Sequence, residues 1–184
     1  MNWKTLSAIA LCAIAFSSVP VLAAGPAETV PMKQGLHQWP ALKGRLMLVV
    51  GTYQDTTNFH RSYTFYFKDG KDEAWNQVPV RNKAGRAQFE WDSATGAEVT
   101  LADGVVASRP NGVYFVVADK HAEQAYQDKG DITVTWYKLT ESDDDHPDDP
   151  AYQFKPEFTR AYPKSGMTVE AILAKELILQ PRNK

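Results

Sequence analysis

Between residues 62 and 68 the chain alternates strictly. Tyr63, Phe65 and Phe67 fall on one side of an extended segment, with Ser62, Thr64, Tyr66 and Lys68 on the other, because successive strand side chains point to opposite faces. This predicts a strand with one fully apolar face. The preceding run Leu46-Met47-Leu48-Val49-Val50 does not alternate, which predicts a strand covered on both sides; its length and the flanking Gly51 favour a strand over a short buried helix. Thr52 to Arg61, between the two, is too polar for a core and short enough to join antiparallel neighbours. A functional surface is sought there first.

The same patterning extends along the chain. Trp75 to Val80 reads as a third strand, with Pro79 favouring an edge or strand end, and Ala87 to Trp91 as a strand with one dry and one wet face. Val99-Thr100-Leu101 and Val105-Val106-Ala107 flank Ala102-Asp103-Gly104, which predicts a hairpin with Asp-Gly chemistry at its turn. Val113 to Ala118 is apolar throughout and reads as a central strand, and Asp119 to Gln127 as a short surface helix or loop. Ile132 to Leu139 is rich in β-branched and aromatic residues, and Tyr152 to Phe158 reads as a last, edge strand. From Thr168 to Leu179, Val169, Ile172, Leu173 and Leu177 form one stripe at helical spacing, with Thr168 as N-cap. Many short strands without alternating βαβ units predict a mainly β, antiparallel two-sheet sandwich with a short C-terminal α-helix.

The first residues stand outside this fold. Lys4 supplies a positive start, Leu6 to Phe16 an apolar core and Val21-Leu22-Ala23-Ala24 a small-residue cleavage site, which together read as a secretory signal peptide over 1–24. Ser17, Ser18 and Pro20 interrupt the apolar run before it reaches the ~20 residues that span a bilayer. Residues 25–44, with Pro26, Pro31, Pro40 and Gly35, read as an irregular arm, and 45–180 as one domain. The expected location is the periplasm. The single cysteine, Cys12, lies in the signal segment, so neither a disulfide framework nor a thiolate site is expected in the exported chain. Cleavage removes only Lys4 among the charged residues, leaving 19 basic and 22 acidic side chains. No basic excess points to nucleic acid, and no later apolar run is long enough for membrane insertion.

Candidate chemistry is sparse. Asp143, Asp144, Asp145, Asp148 and Asp149 lack the alternating spacing, central glycine and closing glutamate of a calcium loop, and read as a solvated loop. His37, His60, His121 and His146 are far apart, without the pattern of a zinc site. No Gly-x-Ser-x-Gly elbow or glycine-rich phosphate loop is present. Asn58 and His60 could face a ligand from their loop, or hydrogen-bond their own turn. The residues alone describe a non-enzymatic, exported β protein without a metal or cofactor.

Several stretches carry a family likeness: Leu46 to Gly51, Asn58-x-His60 before Thr64-Phe65-Tyr66-Phe67-Lys68, Trp75-Asn76-x-Val78-Pro79, Val134 to Leu139, Tyr152-Gln153-Phe154, and Val169 through Leu177. In this order they resemble the carbapenem self-resistance proteins of the CarG type. The resemblance implies a two-sheet sandwich, a homodimer, and protection from a carbapenem without hydrolysis; its partners would be the drug or a cell-wall protein target. The fold is also similar to periplasmic inhibitors of invertebrate-type lysozyme, and lysozyme is the partner on that alternative. Those inhibitors present a Ser-Gly-x-Tyr loop, whereas Ser165-Gly166-Met167-Thr168 lacks the tyrosine and Asn111-Gly112-Val113-Tyr114 the serine. CarG-type proteins often carry an Asp/Asn-rich segment, associated with a cation, before the first strand; His37 to Arg45 holds no carboxylate at that place.

Cell fractionation is expected to recover a soluble periplasmic form lacking its first 23 or 24 residues. Unprocessed chain in the inner membrane would contradict the signal reading.

Overall fold

The computed structural model describes residues 32–71, 73–96, 99–122, 125, 127–143 and 148–179. The signal segment, residues 25–31 of the arm, and Asp144, Asp145 and His146 lie outside the described residues. Among the described residues twelve strands and one helix follow in order: β1 (Gly35–Ala41), β2 (Gly44–Gln54), β3 (Phe59–Asp69), β4 (Asn76–Val78), β5 (Val80–Arg81), β6 (Ala87–Gln88), β7 (Trp91–Asp92), β8 (Ala94–Gly96), β9 (Val99–Arg109), β10 (Gly112–Ala122), β11 (Gly130–Glu141), β12 (Tyr152–Ser165) and α1 (Val169–Ile178). They form a five-stranded sheet ordered β1-β2-β3-β4, with β7 also paired to β3, and a seven-stranded sheet ordered β6-β5-β12-β11-β10-β9-β8. The mainly β, two-sheet fold with a terminal helix is the one the sequence predicts.

The sheets meet along β3. Its Tyr63, Phe65 and Phe67 are buried as the alternation predicts. Phe67 packs on Tyr152 and Phe65 on Phe154, both in β12, while Phe65 and Tyr63 both pack on Phe115 of β10. The last contact of β3 is with β9, where Arg61 ion-pairs with Asp103. β3 therefore crosses the strands of the opposite sheet in turn, and its aromatic edges interlock with rings of both other strands.

Six readings are corrected. Residues 35–41 of the supposed arm form β1, paired antiparallel with β2 from Gly35↔Val50 to Ala41↔Gly44. Pro40 is tolerated because β1 is a sheet edge with no ladder partner on its outer side. Gly44 follows the tight Leu42-Lys43 turn, and a Cβ there would lie 2.0 Å from the Lys68 carbonyl oxygen. The supposed Val99–Ala107 hairpin is one unbroken strand, β9, in which Asp103 is fully buried. β10 runs on through Ala122, so residues 119–122 are strand rather than surface helix or loop. The strand drawn over Trp75–Val80 divides at Pro79, sending β4 to one sheet and β5 to the other; Ala87–Trp91 divides likewise into β6 and β7. Local patterning cannot report such a division, because both pieces alternate whichever sheet receives them. β12 also extends past Phe158 to Ser165 and lies between β5 and β11.

α1 covers the outer side of the larger sheet, packing on β9 and β10. Val169, Ile172, Leu173 and Leu177 are buried, and the Thr168 hydroxyl accepts from the Ala171 N–H at 3.2 Å. Glu176, also buried, accepts from Trp136 Nε1 at 2.9 Å, from Arg160 Nη1 at 2.6 and 2.7 Å, and from the Tyr162 hydroxyl. A carboxylate removed from water stays charged only when its lone pairs are met this fully.

Phe65→Ala is expected to lower the unfolding free energy by about 3–5 kcal/mol in urea denaturation, since it empties the ring contact between sheets. Ile178→Ala, at a side chain 82% exposed, should stay within about 0.5 kcal/mol of wild type. A loss below ~1 kcal/mol at Phe65 would contradict its place in the core.

Candidate functional site

The β2–β3 connection is a turn built on one carboxylate. Asp55 Oδ1 accepts from the N–H groups of Thr57 at 2.9 Å and Asn58 at 2.7 Å, and the Asp55 N–H donates to the Asn58 carbonyl at 3.1 Å. This is the local bonding that aspartate supplies to turns. Asn58 turns inward on it, its Nδ2 donating to Thr57 Oγ1 at 2.8 Å. Of the two residues singled out from the sequence, Asn58 is thus engaged with its own loop.

His60 joins this turn to the rest of the molecule. Its Nε2 lies 2.9 Å from Asp55 Oδ2 and its Nδ1 3.0 Å from the Ser93 carbonyl oxygen, between β7 and β8. The ring stacks on Tyr53, its register partner in β2, at 4.9 Å and 17°. The Ser93 carbonyl first, then Asp55, raise the His60 pKa against the opposing effect of burial. The two turn N–H groups and His60 hold Asp55 down to about 2. Both ring nitrogens therefore face acceptors, an arrangement that favours imidazolium and leaves no free lone pair for base chemistry. Ser93 does not complete a catalytic triad with them. Its hydroxyl accepts from the Arg61 N–H at 2.7 Å, and only its carbonyl meets the imidazole.

Beneath His60 lies a buried polar cluster absent from the sequence reading. Asp103 accepts from the Tyr63 hydroxyl at 2.5 Å and the Gly104 N–H at 2.9 Å, and pairs with the Arg61 guanidinium. Burial, reinforced by Asp103, pushes the Tyr63 pKa far above the ordinary phenol value. The only sequence signal was an aspartate inside an eleven-residue strand, and the adjoining glycine made a turn the simpler reading. Above the cluster Tyr53 and Phe59 are exposed, and Ser62 donates to Glu90. Burial and then the like charge of Glu90 raise the Asp92 pKa.

Of the described aspartates of the acidic loop, Asp143 and Asp148 are exposed, as a solvated loop predicts, and Asp149 is tied to the domain. Asp149 pairs with Arg81, accepts from Gln153 Nε2 at 3.1 Å and lies 3.8 Å from Lys155 Nζ. The described histidines stay apart: His37 is in β1, His60 in β3 and His121 in β10. Among the described residues no group of three or more His, Cys, Asp or Glu side chains is placed to hold a metal ion. Among them too, no helix is long and apolar enough to cross a membrane.

The chain matches the family model described as carbapenem resistance protein CarG-like over residues 42–169. The chain belongs to the CarG-like family. The crystal structure of CarG is similar to it with a TM-score of 0.63 and 21% sequence identity, covering 82% of this chain and 92% of that one. At that identity the likeness establishes the shared fold. No curated protein matches the chain. The family interval runs from the β1–β2 turn to the first residue of α1. The CarG-like core is therefore β2 through β12, with β1 and most of the helix outside the matched interval.

The His60 arrangement carries a pH signature. Its raised pKa makes the contribution of the charged ring complete below the ordinary 6.5 and lost as pH rises through the folded value. The depressed Asp55 contributes fully above its ordinary 3.8, and that contribution is lost as pH falls toward about 2. Wild type should therefore exceed Asp55→Asn in stability most clearly between about pH 4 and 6.5, with the difference narrowing on either side. In NMR titration the His60 midpoint should lie above 6.5 in wild type and fall in the variant. An unchanged midpoint would contradict the pairing.

Proposed function

We propose that this chain is an exported, non-enzymatic CarG-like protein that acts as a homodimer in the periplasm and contributes to intrinsic resistance to carbapenem antibiotics. The family match over residues 42–169 carries the reading. The chemistry of the candidate site supports a binding role: His60 is held between Asp55 and the Ser93 carbonyl, while the Ser93 hydroxyl serves the backbone. A nucleophile activated by a base requires the opposite arrangement, with the hydroxyl on the imidazole. His60 and Asn58 act on this reading by holding the shape of the β2–β3 end, which presents Tyr53 and Phe59.

Deletion of the gene is expected to sensitise cells to a simple carbapenem, with rescue by wild type and weakened rescue by the Asn58→Ala, His60→Ala double variant. Purified protein should leave the drug chemically intact in mass spectrometry. Multiple turnovers would overturn the non-enzymatic role. Sensitivity to invertebrate-type lysozyme alone would replace the resistance reading with inhibition.

A further inference from the structure

At Ser93 the chain changes sheets. β7 pairs with β3 in the five-stranded sheet and β8 with β9 in the larger one, and Ser93 is the single residue between them. The strands it joins are only two and three residues long, so ties from β3 help to hold this crossover. The Arg61 N–H donates to Ser93 Oγ at 2.7 Å, the Ser93 N–H to the Arg61 carbonyl at 2.8 Å, and Thr95 Oγ1 to the Phe59 carbonyl at 3.1 Å. A further tie is the imidazole of His60, whose Nδ1 meets the Ser93 carbonyl while its Nε2 meets Asp55.

Both oxygens that face the ring can only accept, so each requires an N–H. Imidazolium has two and neutral imidazole one, so loss of a proton must cost one of the two contacts. Geometry decides which. Asp55 Oδ1 is held by the N–H groups of Thr57 and Asn58, so the carboxylate cannot turn away without undoing its turn. An Nε2 lone pair would then stand 2.9 Å from a full negative charge, whereas an Nε2–H keeps a charge-assisted bond, about twice as strong as a neutral one. The Nε2–H tautomer is therefore favoured, and the Ser93 carbonyl loses its imidazole donor. Ser93 is 4% exposed and the imidazole side chain 15%, which leaves solvent little room to replace it. Around the ring stand Asp55 from the turn, Asp92 of β7 with Glu90 beside it, and Tyr53 of β2, while Arg61 turns to Asp103. The imidazole is the group that changes charge near neutrality.

We propose that His60 is a proton-operated clasp at this crossover between the sheets. Doubly protonated, it ties the β2–β3 turn to Ser93; singly protonated, it keeps Asp55 and releases Ser93. Because the Ser93 carbonyl and Asp55 raise the His60 pKa, the clasp is closed below the ordinary 6.5 and opens as pH rises through the folded value. Release loosens the crossover without detaching it, since the ties from Arg61 and Phe59 remain. It also reaches the core. Two residues before Ser93, the half-buried Trp91 stands edge-on to Tyr63 and to Phe115, with ring centroids 5.4 Å apart in each pair. The same end exposes Tyr53 and Phe59, so the surface presented there depends on pH.

NMR of the purified, isotope-labelled chain from about pH 5.5 to about pH 9 tests the clasp. Above the His60 midpoint the ring nitrogens are expected to report the Nε2–H tautomer. The Ser93 amide, corrected for the intrinsic pH dependence of exchange, should lose at least about tenfold in protection, the scale of one lost hydrogen bond. The Trp91 indole resonance should move with the same midpoint. In Asp55→Asn, where the His60 midpoint falls, all three changes should shift together to lower pH, and in His60→Gln the Trp91 change near neutrality should vanish. If a variant fails to fold, the wild-type titration decides the question by itself. An Nδ1–H tautomer above the midpoint, Ser93 protection unchanged through it, or a Trp91 transition that survives in His60→Gln would overturn the clasp.

Discussion

The inward side of β3 crosses β12, β10 and β9, placing Phe67, Phe65, Tyr63 and Arg61 successively against the larger sheet. The single cysteine lies in the predicted signal segment, so the described sandwich is held by packing and buried polar contacts. Three phenylalanines from different strands, Phe65, Phe115 and Phe154, meet pairwise between the sheets, all essentially inaccessible to solvent. Gly104 contributes by omission, since a Cβ there would lie 2.5 Å from the Phe115 ring. The core is close-packed enough that one methyl group would displace its central ring.

Two buried carboxylates secure the periphery of that core. Asp103 binds β9 to Arg61 and Tyr63 of the opposing sheet, and Glu176 binds α1 to Trp136, Arg160 and Tyr162. Such groups add little net stability over apolar replacements, but removing one partner leaves the others desolvated and unpaired. Their physical effect is to fix position. Asp103 sets where β9 sits beneath the β2–β3 end, and Glu176 sets how the helix lies across the larger sheet.

The candidate site inherits this order. His60 belongs to the same strand as Arg61 and Tyr63, so the buried cluster fixes the backbone from which the imidazole reaches Asp55 and Ser93. Its bonding ties the turn to the sheet, with Tyr53 and Phe59 exposed beside it. The fold itself is compatible with more than one activity.

Period-two alternation determined β3, the apolar runs determined β2 and the centre of β10, the β-branched and aromatic residues determined the centre of β11, and the helical stripe with its Thr168 cap determined α1 almost to its ends. These features are legible because burial on one face imposes a period that is local in sequence. The role of Asn58 in its own turn was among the local possibilities for the same reason. The tertiary structure alone decided that Pro79 separates strands of two sheets, that residues 35–41 pair with β2, and that Asp103 is a buried anchor instead of a turn. It also brought His60 to Ser93, 33 residues away, and Glu176 to Trp136, 40 residues away. Those contacts depend on which sheet each strand enters, a choice made by long-range packing that leaves no period in the sequence.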